Sequence, residues 1–385
     1  ELKPLLRILM VVGHYPPFIG GAGVQCKKLA EALLNECGVS VDVLAVRQRI
    51  KGIYPRIEYK TKVHWVPLLG IPWGTELRGA TVFSMFYIFI FILIFGRKYN
   101  IIHIHQAQEP AVAAICAAKI IRKKTIVKIS NSMNRFDLRI MRGKIFGRLY
   151  ARVLAKADIF IALTTTMRHD LVAWGIDQKK IMDIPNTTDV RTEQVKPASD
   201  LRGSGPLLIF TGAFTKKKNI TFLIDVVVEL CAKGETCRLA LVGEGPCANE
   251  LLEHAKARQI EKNVIFFGAV SDVLPLVKAS DIFLLPSENE GLSNSLLEAV
   301  SCGVPAIVPD TPFNKEIKEL FPVAITLAGA GDVRDWAEKI KALNGSKLPH
   351  DELRAKLENA LYYFSFPEVA GKYVNLYSRL LNKKD

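Results

Sequence analysis

Short apolar runs rich in Val, Ile and Leu recur along the chain, each followed by apolar residues at helical spacing. In the first half they include RILMVV (7–12), VDVLAV (41–46), IIHIH (101–105), TIVKIS (125–130), IFIAL (159–163) and IMDIP (181–185). After a polar connector over 188–205 the pattern restarts with LLIFTG (207–212), RLALVG (238–243), VIFFG (264–268), IFLLP (282–286) and PAIVP (305–309). Nearly continuous apolar runs alternating with helices predict parallel α/β sheets. The restart predicts two domains, in keeping with 385 residues, more than one core usually serves. Each half opens on a strand that runs into glycine. Open parallel sheets bind ligands at the C-terminal ends of their strands, so two of them face to face place a ligand in the cleft between domains. The connector near 190–205 is the expected hinge.

Two segments stand apart from this alternation. ATVFSMFYIFIFILIF (80–95) is a continuous 16-residue apolar run. It lies at the short edge for a membrane-spanning helix, and a buried core helix explains it equally well. RFDLRIMRGKIFGRLYARVLAK (135–156) sets Arg135, Arg139, Arg142, then Lys144, Arg148, Arg152 and Lys156 at steps of three or four across a break at Gly143. Ile140, Ile145, Leu149 and Val153 fall between them. This spacing suits a helix lying on an anionic membrane; a solvated helix face packed on the sheet gives the same pattern.

Charge changes the picture by its location. The net charge is +14, from 52 basic and 38 acidic residues. Residues 1–190 hold 28 Lys and Arg against 13 Asp and Glu, a balance of +15; residues 191–385 hold 24 against 25, or −1. A one-sided basic half implies an anionic partner such as nucleic acid, a membrane surface or a phosphorylated substrate. No aromatic-rich basic groove and no zinc finger supports nucleic acid. Together with the two segments, the split favours a membrane surface. Hydrophobic content of 49% with 23% charged residues excludes a disordered chain. The seven cysteines are scattered and lack metal-site spacing. With no secretory signal at the head of the sequence, they predict a reducing, cytoplasmic compartment.

Three loops carry candidate chemistry. GHYPPFIGGAGVQCKKLAEAL (13–33) sets Gly20, Gly21 and Gly23 ahead of a helix, where the backbone can approach an anion. A Gly-rich turn alone is a weak signal, and this is not the phosphate loop ending in Gly-Lys-Ser/Thr. TGAFTKKKNI (211–220) sets Lys216, Lys217 and Lys218 just past a strand, where a diphosphate could lie; a solvated charge run is the plain alternative. SENEGLSNSLLE (287–298) holds Glu290 and Glu298, readable as an acid/base pair, metal ligands, sugar hooks or helix furniture. Ser295-x-x-Glu298 fits a capping box, with Gly303 and Pro305 ending a short helix. Glu290 has no such structural explanation. In IIHIH, His103 and His105 share one face of a strand. His105 stands at the C-terminal edge where sites form, whereas His103 reads as a strand histidine bonded to its neighbours. A His-x-His zinc site lacks an evident third ligand.

Taken in order, YPPFIGGAG, HIHQ, IPNTTD (184–189), VGEGP (242–246), SDIFLLPSENEGLSNSLLEAVSCGVP (280–305) and YVNLYSRLL (373–381) resemble the retaining nucleotide-sugar glycosyltransferases of family 4. The resemblance covers essentially the whole chain, and Glu290-x7-Glu298 followed by Ala299 and Gly303-x-Pro305 is its most specific element. It implies a GT-B fold, two Rossmann-like parallel-sheet domains facing across a deep cleft. Residues 1–190 would form an acceptor- and membrane-facing domain and 191–365 a nucleotide-sugar-binding one, with a C-terminal helix over 366–385 returning to the first. By the family pattern, Gly20 and Gly21 would approach the donor diphosphate. Lys218 would bind phosphate, Glu298 the ribose hydroxyls and Glu290 the donor sugar. Backbone amides near Asn294 and Ser295 would cap the distal phosphate, with Lys217, Gly291 and Leu292 among the donor contacts. His105 would stand near the reacting sugar. One position departs from the pattern: Ala213 replaces an arginine usually found five residues before the lysine. Lys216 or Lys217 could stand in, as point charges and not as a bidentate fork.

Breaking a sugar–phosphate bond develops negative charge on the leaving diphosphate, which amides, a helix start and Lys218 would answer. The chain has no Asp-x-Asp triplet, and the resemblance implies retention without a metal or a cofactor beyond the nucleotide-sugar co-substrate. The expected protein is therefore a glycosyltransferase, cytoplasmic and peripheral on the inner membrane face. It would act on a lipid-linked or other glycan acceptor in surface polysaccharide or glycolipid assembly. Transfer to a small soluble acceptor, a non-catalytic nucleotide-sugar-binding subunit and a sugar-nucleotide epimerase remain the alternatives.

Overall fold

The computed structural model describes residues 6–16, 20–46, 59–67, 71–73, 76–78, 80–131, 137–143, 146–201, 203–288, 290–346 and 348–382. The chain divides into two compact units: Glu1–Thr187 with Phe366–Asp385, and Thr188–Ser365.

Unit 1 runs β1 (Arg7–Val12), α1 (Gly21–Cys37), β2 (Ser40–Val46), β3 (Lys62–Val66), a small hairpin of β4 (Ile71–Trp73) and β5 (Glu76–Arg78), then α2 (Ala80–Phe95), β6 (Ile101–His105) and α3 (Glu109–Ile120). It continues with β7 (Lys124–Lys128), α4 (Asp137–Arg142), α5 (Gly147–Leu154), β8 (Ile159–Ala162), α6 (Thr165–Ala173) and β9 (Ile181–Asp183). Its sheet has the order β3-β2-β1-β6-β7-β8-β9, parallel throughout. Unit 2 runs β10 (Leu207–Thr211), α7 (Ile220–Ala232), β11 (Arg238–Val242), α8 (Ala248–Ala257), β12 (Val264–Gly268), α9 (Leu274–Ala279), β13 (Ile282–Leu284), α10 (Asn294–Ser301), β14 (Ala306–Pro309), α11 (Pro312–Leu320) and β15 (Ile325–Ala328). Helices α12 (Val333–Ser346), α13 (His350–Lys356) and α14 (Glu358–Tyr362) complete it. Its parallel sheet has the order β12-β11-β10-β13-β14-β15. The last helix, α15 (Phe366–Asn382), belongs to unit 1.

Each of the short apolar runs read above as a strand became one, and those in the middle of each sheet are buried on both faces. Besides the β4–β5 hairpin, two strands of the main sheets escaped the sequence pattern. β3 (KVHWV) and β15 (ITLA) are edge strands, and neither carries a long continuous apolar run. The start of the polar connector is held by hydrogen bonds. Thr192 is fully buried and its hydroxyl donates to the Ser301 carbonyl. Arg354 donates to the Val190 carbonyl at 2.7 Å, and Lys278 to the Thr192 carbonyl at 3.0 Å. Residues 190–192 are thus fastened to unit 2. The Thr188 amide donates to the Phe364 carbonyl at 2.9 Å, just inside the boundary of unit 2.

One face of the unit 1 sheet is covered by α1 and α15, whose Leu29, Leu33, Tyr373, Leu376 and Tyr377 join Met10, Val12, Ile101 and Ile126 in one core. The other face carries α3, flanked by α2 and α5. The 80–95 run is one uninterrupted helix, α2, and it is not the buried core helix that was one of its two readings. Ile88, Phe91 and Ile92 are buried, but Phe86 and Ile94 are each 63% exposed. The basic segment divides into α4 and α5; Arg135, Lys144 and Ile145 lie outside the described residues.

Because α15 completes the unit 1 core, Tyr373→Ala should cost roughly 3–5 kcal/mol of that unit's stability. Hydrogen exchange should show β1 and β6 losing protection while β10 and β13 keep theirs.

Candidate functional site

Parallel pairing sets up the site in unit 2. Strands β10 and β13 are neighbours with Leu208 opposite Ile282 and Ile209 opposite Phe283. Their following loops therefore leave the same end of the sheet side by side. After β10 the chain turns through Gly212 at φ 150° and Ala213, and Lys216–Lys218 form one 3-10 turn ahead of α7. Asn219, at φ 49°, starts α7 in the left-handed region that asparagine tolerates better than most residues. The loop after β11 packs backbone against backbone on the β10 loop. A Cβ on Gly243 would meet the Gly212 carbonyl oxygen at 1.9 Å. The Phe214 amide donates to the Glu244 carbonyl at 2.8 Å.

The loop after β13 delivers Glu290 to the lysine turn. Lys218 Nζ lies 2.6 Å from Glu290 Oε1, with the two side chains only 14% and 18% exposed. Lys216 and Lys217 are exposed. Gly291 and Leu292 are buried and lead into α10, where Ser293 is the N-cap, Asn294 and Ser295 open the helix, and Glu298 is half-buried. The expected capping box does not form. Glu298 is the fifth residue of the helix, not the third, and the Ser293 hydroxyl pairs with the Ser295 hydroxyl at 3.1 Å without capping an amide. The helix does stop as expected, with Gly303 at φ 72° in a position where a Cβ would strike the His350 carbonyl oxygen. Glu298 is therefore not the reciprocal member of a capping box, and the Ser293 side chain makes no cap bond at the amide-rich, positive end of α10. Ser287, in the same loop, is buried with no hydrogen-bond partner for its hydroxyl among the described residues. Sequence reasoning passed over it because nothing marks a serine past a strand.

In unit 1, Gly20 is the N-cap of α1 and Gly21 its first residue. Gly23 is the glycine the packing demands, since a Cβ there would sit 2.0 Å from the His14 carbonyl oxygen. His103 and His105 do share a face, with rings stacked 4.6 Å apart, and that face is the one covered by α15. His103 Nδ1 is 2.8 Å from the Tyr377 hydroxyl. His105 is 2% exposed, and neither ring nitrogen has a partner among the described residues. Opposite His105 in the register stands Lys128, also buried. No carboxylate pairs with it among the described residues. Burial pushes the His103 pKa down to about 3. Burial first, then His103 and Lys128, holds His105 well below the usual histidine range. Burial also brings Lys128 down to about 7. The sequence signal for Lys128 is a lone lysine inside an apolar run. The structure brings Lys218 and Glu290 together, and places Gly291, Leu292, Asn294, Ser295 and Glu298 on the same loop and helix. Lys217 is one residue from Lys218, while Gly20, Gly21 and His105 belong to unit 1. No cluster of His, Cys, Asp or Glu suited to a metal ion occurs among the described residues.

Residues 191–362 match the family model described as glycosyl transferases group 1. Residues 19–192 match that described as Glycosyltransferase Family 4. The chain is 25% identical over 379 residues to the N-acetyl-alpha-D-glucosaminyl L-malate synthase of Bacillus anthracis, covering 95% of each chain. It is 27% identical over 331 residues to a phosphatidylinositol N-acetylglucosaminyltransferase subunit from Arabidopsis thaliana, covering 80% of this chain and 70% of that one. Among solved structures, Anabaena Alr3699/HepE in complex with UDP and glucose superposes with a TM-score of 0.76 at 16% identity, covering 97% of this chain and 99% of that one. WaaG, a glycosyltransferase involved in lipopolysaccharide biosynthesis, gives 0.69 at 16% identity over 96% and 99%. The fold is GT-B, with two Rossmann-like parallel-sheet domains.

The buried bases make stability depend on pH. Between about pH 7 and the ordinary lysine value near 10.5, the unfolded chain binds a proton that folded Lys128 does not, so stability rises with pH there. For His103 the window is about 3 to 6.5, and stability falls as pH drops through it. Lys128→Met should therefore raise the melting temperature more at pH 6 than at pH 10. Thermal melts of both proteins across pH check this, and a pH-independent difference would refute it.

Proposed function

The chain belongs to the group 1 glycosyl transferases, with a family 4 N-terminal half, and from that premise we propose that it moves a sugar from a nucleotide-sugar donor to a lipid-linked acceptor at the cytoplasmic membrane face. The transfer retains anomeric configuration and uses no metal ion. The carrying observation is the Lys218–Glu290 pair beside the start of α10. A cation and a helix start suit the leaving diphosphate, whose charge grows as the bond to the sugar breaks. The acceptor hydroxyl forms the new bond to the same carbon, and its proton passes to the leaving phosphate. Glu290 serves the sugar hydroxyls, Glu298 the ribose, and Gly20 and Gly21 the diphosphate. Among the remaining donor contacts, Lys217 or Lys216 compensates for Ala213. His105 stands near the reacting sugar as a neutral imidazole. Its burial supports the neutral form.

The membrane reading draws on the surface of unit 1. Val82, Phe86, Ile94 and Phe95 of α2 are exposed, as are Ile140 of α4, Leu149 of α5 and Phe146 beside it. Arg139, Arg142, Arg148 and Arg152 are exposed on α4 and α5. Exposed apolar side chains set among cations fit an interface rich in anionic lipid. The biosynthesis of a surface polysaccharide or glycolipid is the proposed setting, and the phosphatidylinositol in the Arabidopsis relative's name agrees with a lipid-linked acceptor.

The test is turnover of a nucleotide-sugar panel, headed by UDP-N-acetylglucosamine because both relatives named above refer to an N-acetylglucosaminyl group. Slow donor hydrolysis is expected, and its absence with every donor, despite nucleotide binding, would point to a non-catalytic subunit. Glu290→Gln should cut turnover strongly while nucleotide binding persists; Glu298→Ala should weaken nucleotide binding itself. The protein should float with anionic liposomes at low salt and be released at high salt. Phe86→Glu with Ile94→Glu should abolish flotation while leaving donor hydrolysis unchanged.

A further inference from the structure

We propose that Glu290 acts, before any donor arrives, as an internal stand-in for the donor phosphate on Lys218, so that donor binding must displace it and thereby delivers its carboxylate to the sugar. This rests on the donor-site reading above.

The pair itself is the starting observation. At 2.6 Å and with both side chains mostly out of water, Lys218 and Glu290 neutralise one another in the ligand-free protein. A carboxylate oxygen on a lysine ammonium makes the same charge-assisted hydrogen bond that a phosphate oxygen would make. The surroundings offer further donors to an anion. The first-turn amides of α10 have no side-chain cap from Ser293, and the buried Ser287 hydroxyl has no partner among the described residues. Glu290 reaches the site from the β13 loop because β10 and β13 are paired, so the contact follows from the topology. A diphosphate reaching these amides brings more negative charge than one carboxylate, and it competes for the same ammonium. Once displaced, the Glu290 carboxylate is left partly buried and needs new hydrogen-bond donors. Sugar hydroxyls supply them. A nucleoside diphosphate without its sugar frees the carboxylate and gives it nothing in return.

The consequence has an unusual sign. Removing the charge of a donor-contacting residue should tighten the binding of phosphate ligands, because the competing internal anion is gone. Calorimetric titration of inorganic pyrophosphate and of UDP into the full chain should give Glu290→Gln roughly three- to tenfold tighter binding than wild type. Lys218→Met should weaken both ligands, and Lys218→Met with Glu290→Gln should bind no more tightly than Lys218→Met alone. The ligand-induced rise in melting temperature should follow the same order, which separates the effect from misfolding. Equal or weaker binding by Glu290→Gln, with wild type still binding UDP, overturns the displacement and leaves the donor site standing. Failure of the wild type to bind UDP, ADP or GDP overturns the donor site and the displacement with it.

Discussion

Hydrogen bonding between parallel strands is the constraint from which the rest of this protein follows. A parallel sheet sends every strand out at one end, so residues far apart in sequence emerge together there. That is how Lys218, after β10, meets Glu290, after β13. It is also how His105, ending β6, comes to stand beside Lys128, ending β7. The same constraint demands helices on both faces. In unit 1 it recruits α15 from the far end of the chain to cover the face that α1 leaves open.

The two units handle buried charge in opposite ways. In unit 2 a partly buried lysine is matched by a partly buried glutamate 2.6 Å away, so the two charges neutralise one another. In unit 1 a buried lysine and two buried histidines gather with no carboxylate among the described residues to balance them. The outcome there is neutralisation, since the histidines shed their protons and the lysine comes close to doing so. One arrangement keeps both groups charged by pairing them; the other suppresses charge at the cost of stability at low pH.

The surface of unit 1 carries the basic excess. Apolar side chains on α2 stay exposed because α2 packs by one stripe, chiefly on α3, and leaves the rest of its circumference uncovered. In water such a face is unfavourable, by about 25 cal/mol for each Å² of apolar area. A membrane surface, as proposed above, would relieve that cost, and the exposed arginines of α4 and α5 would supply attraction to its headgroups.

The sequence by itself determined the central strands, their parallel character and the restart that divides the chain, because burial on both faces forces continuous apolar runs. It determined which glycines and glutamates to watch, and the family to which they point. Three things were decided only in three dimensions. The capping box at Ser295 and Glu298 had the right spacing but the wrong helix start, since α10 begins at Asn294, one residue before Ser295. The edge strands β3 and β15 form because a sheet edge was there to accept them, whatever their mixed pattern suggested. The pairing of Lys218 with Glu290 depends on which strands are neighbours. Local periodicity records which face of a strand is buried, and it carries no information about which strand lies alongside.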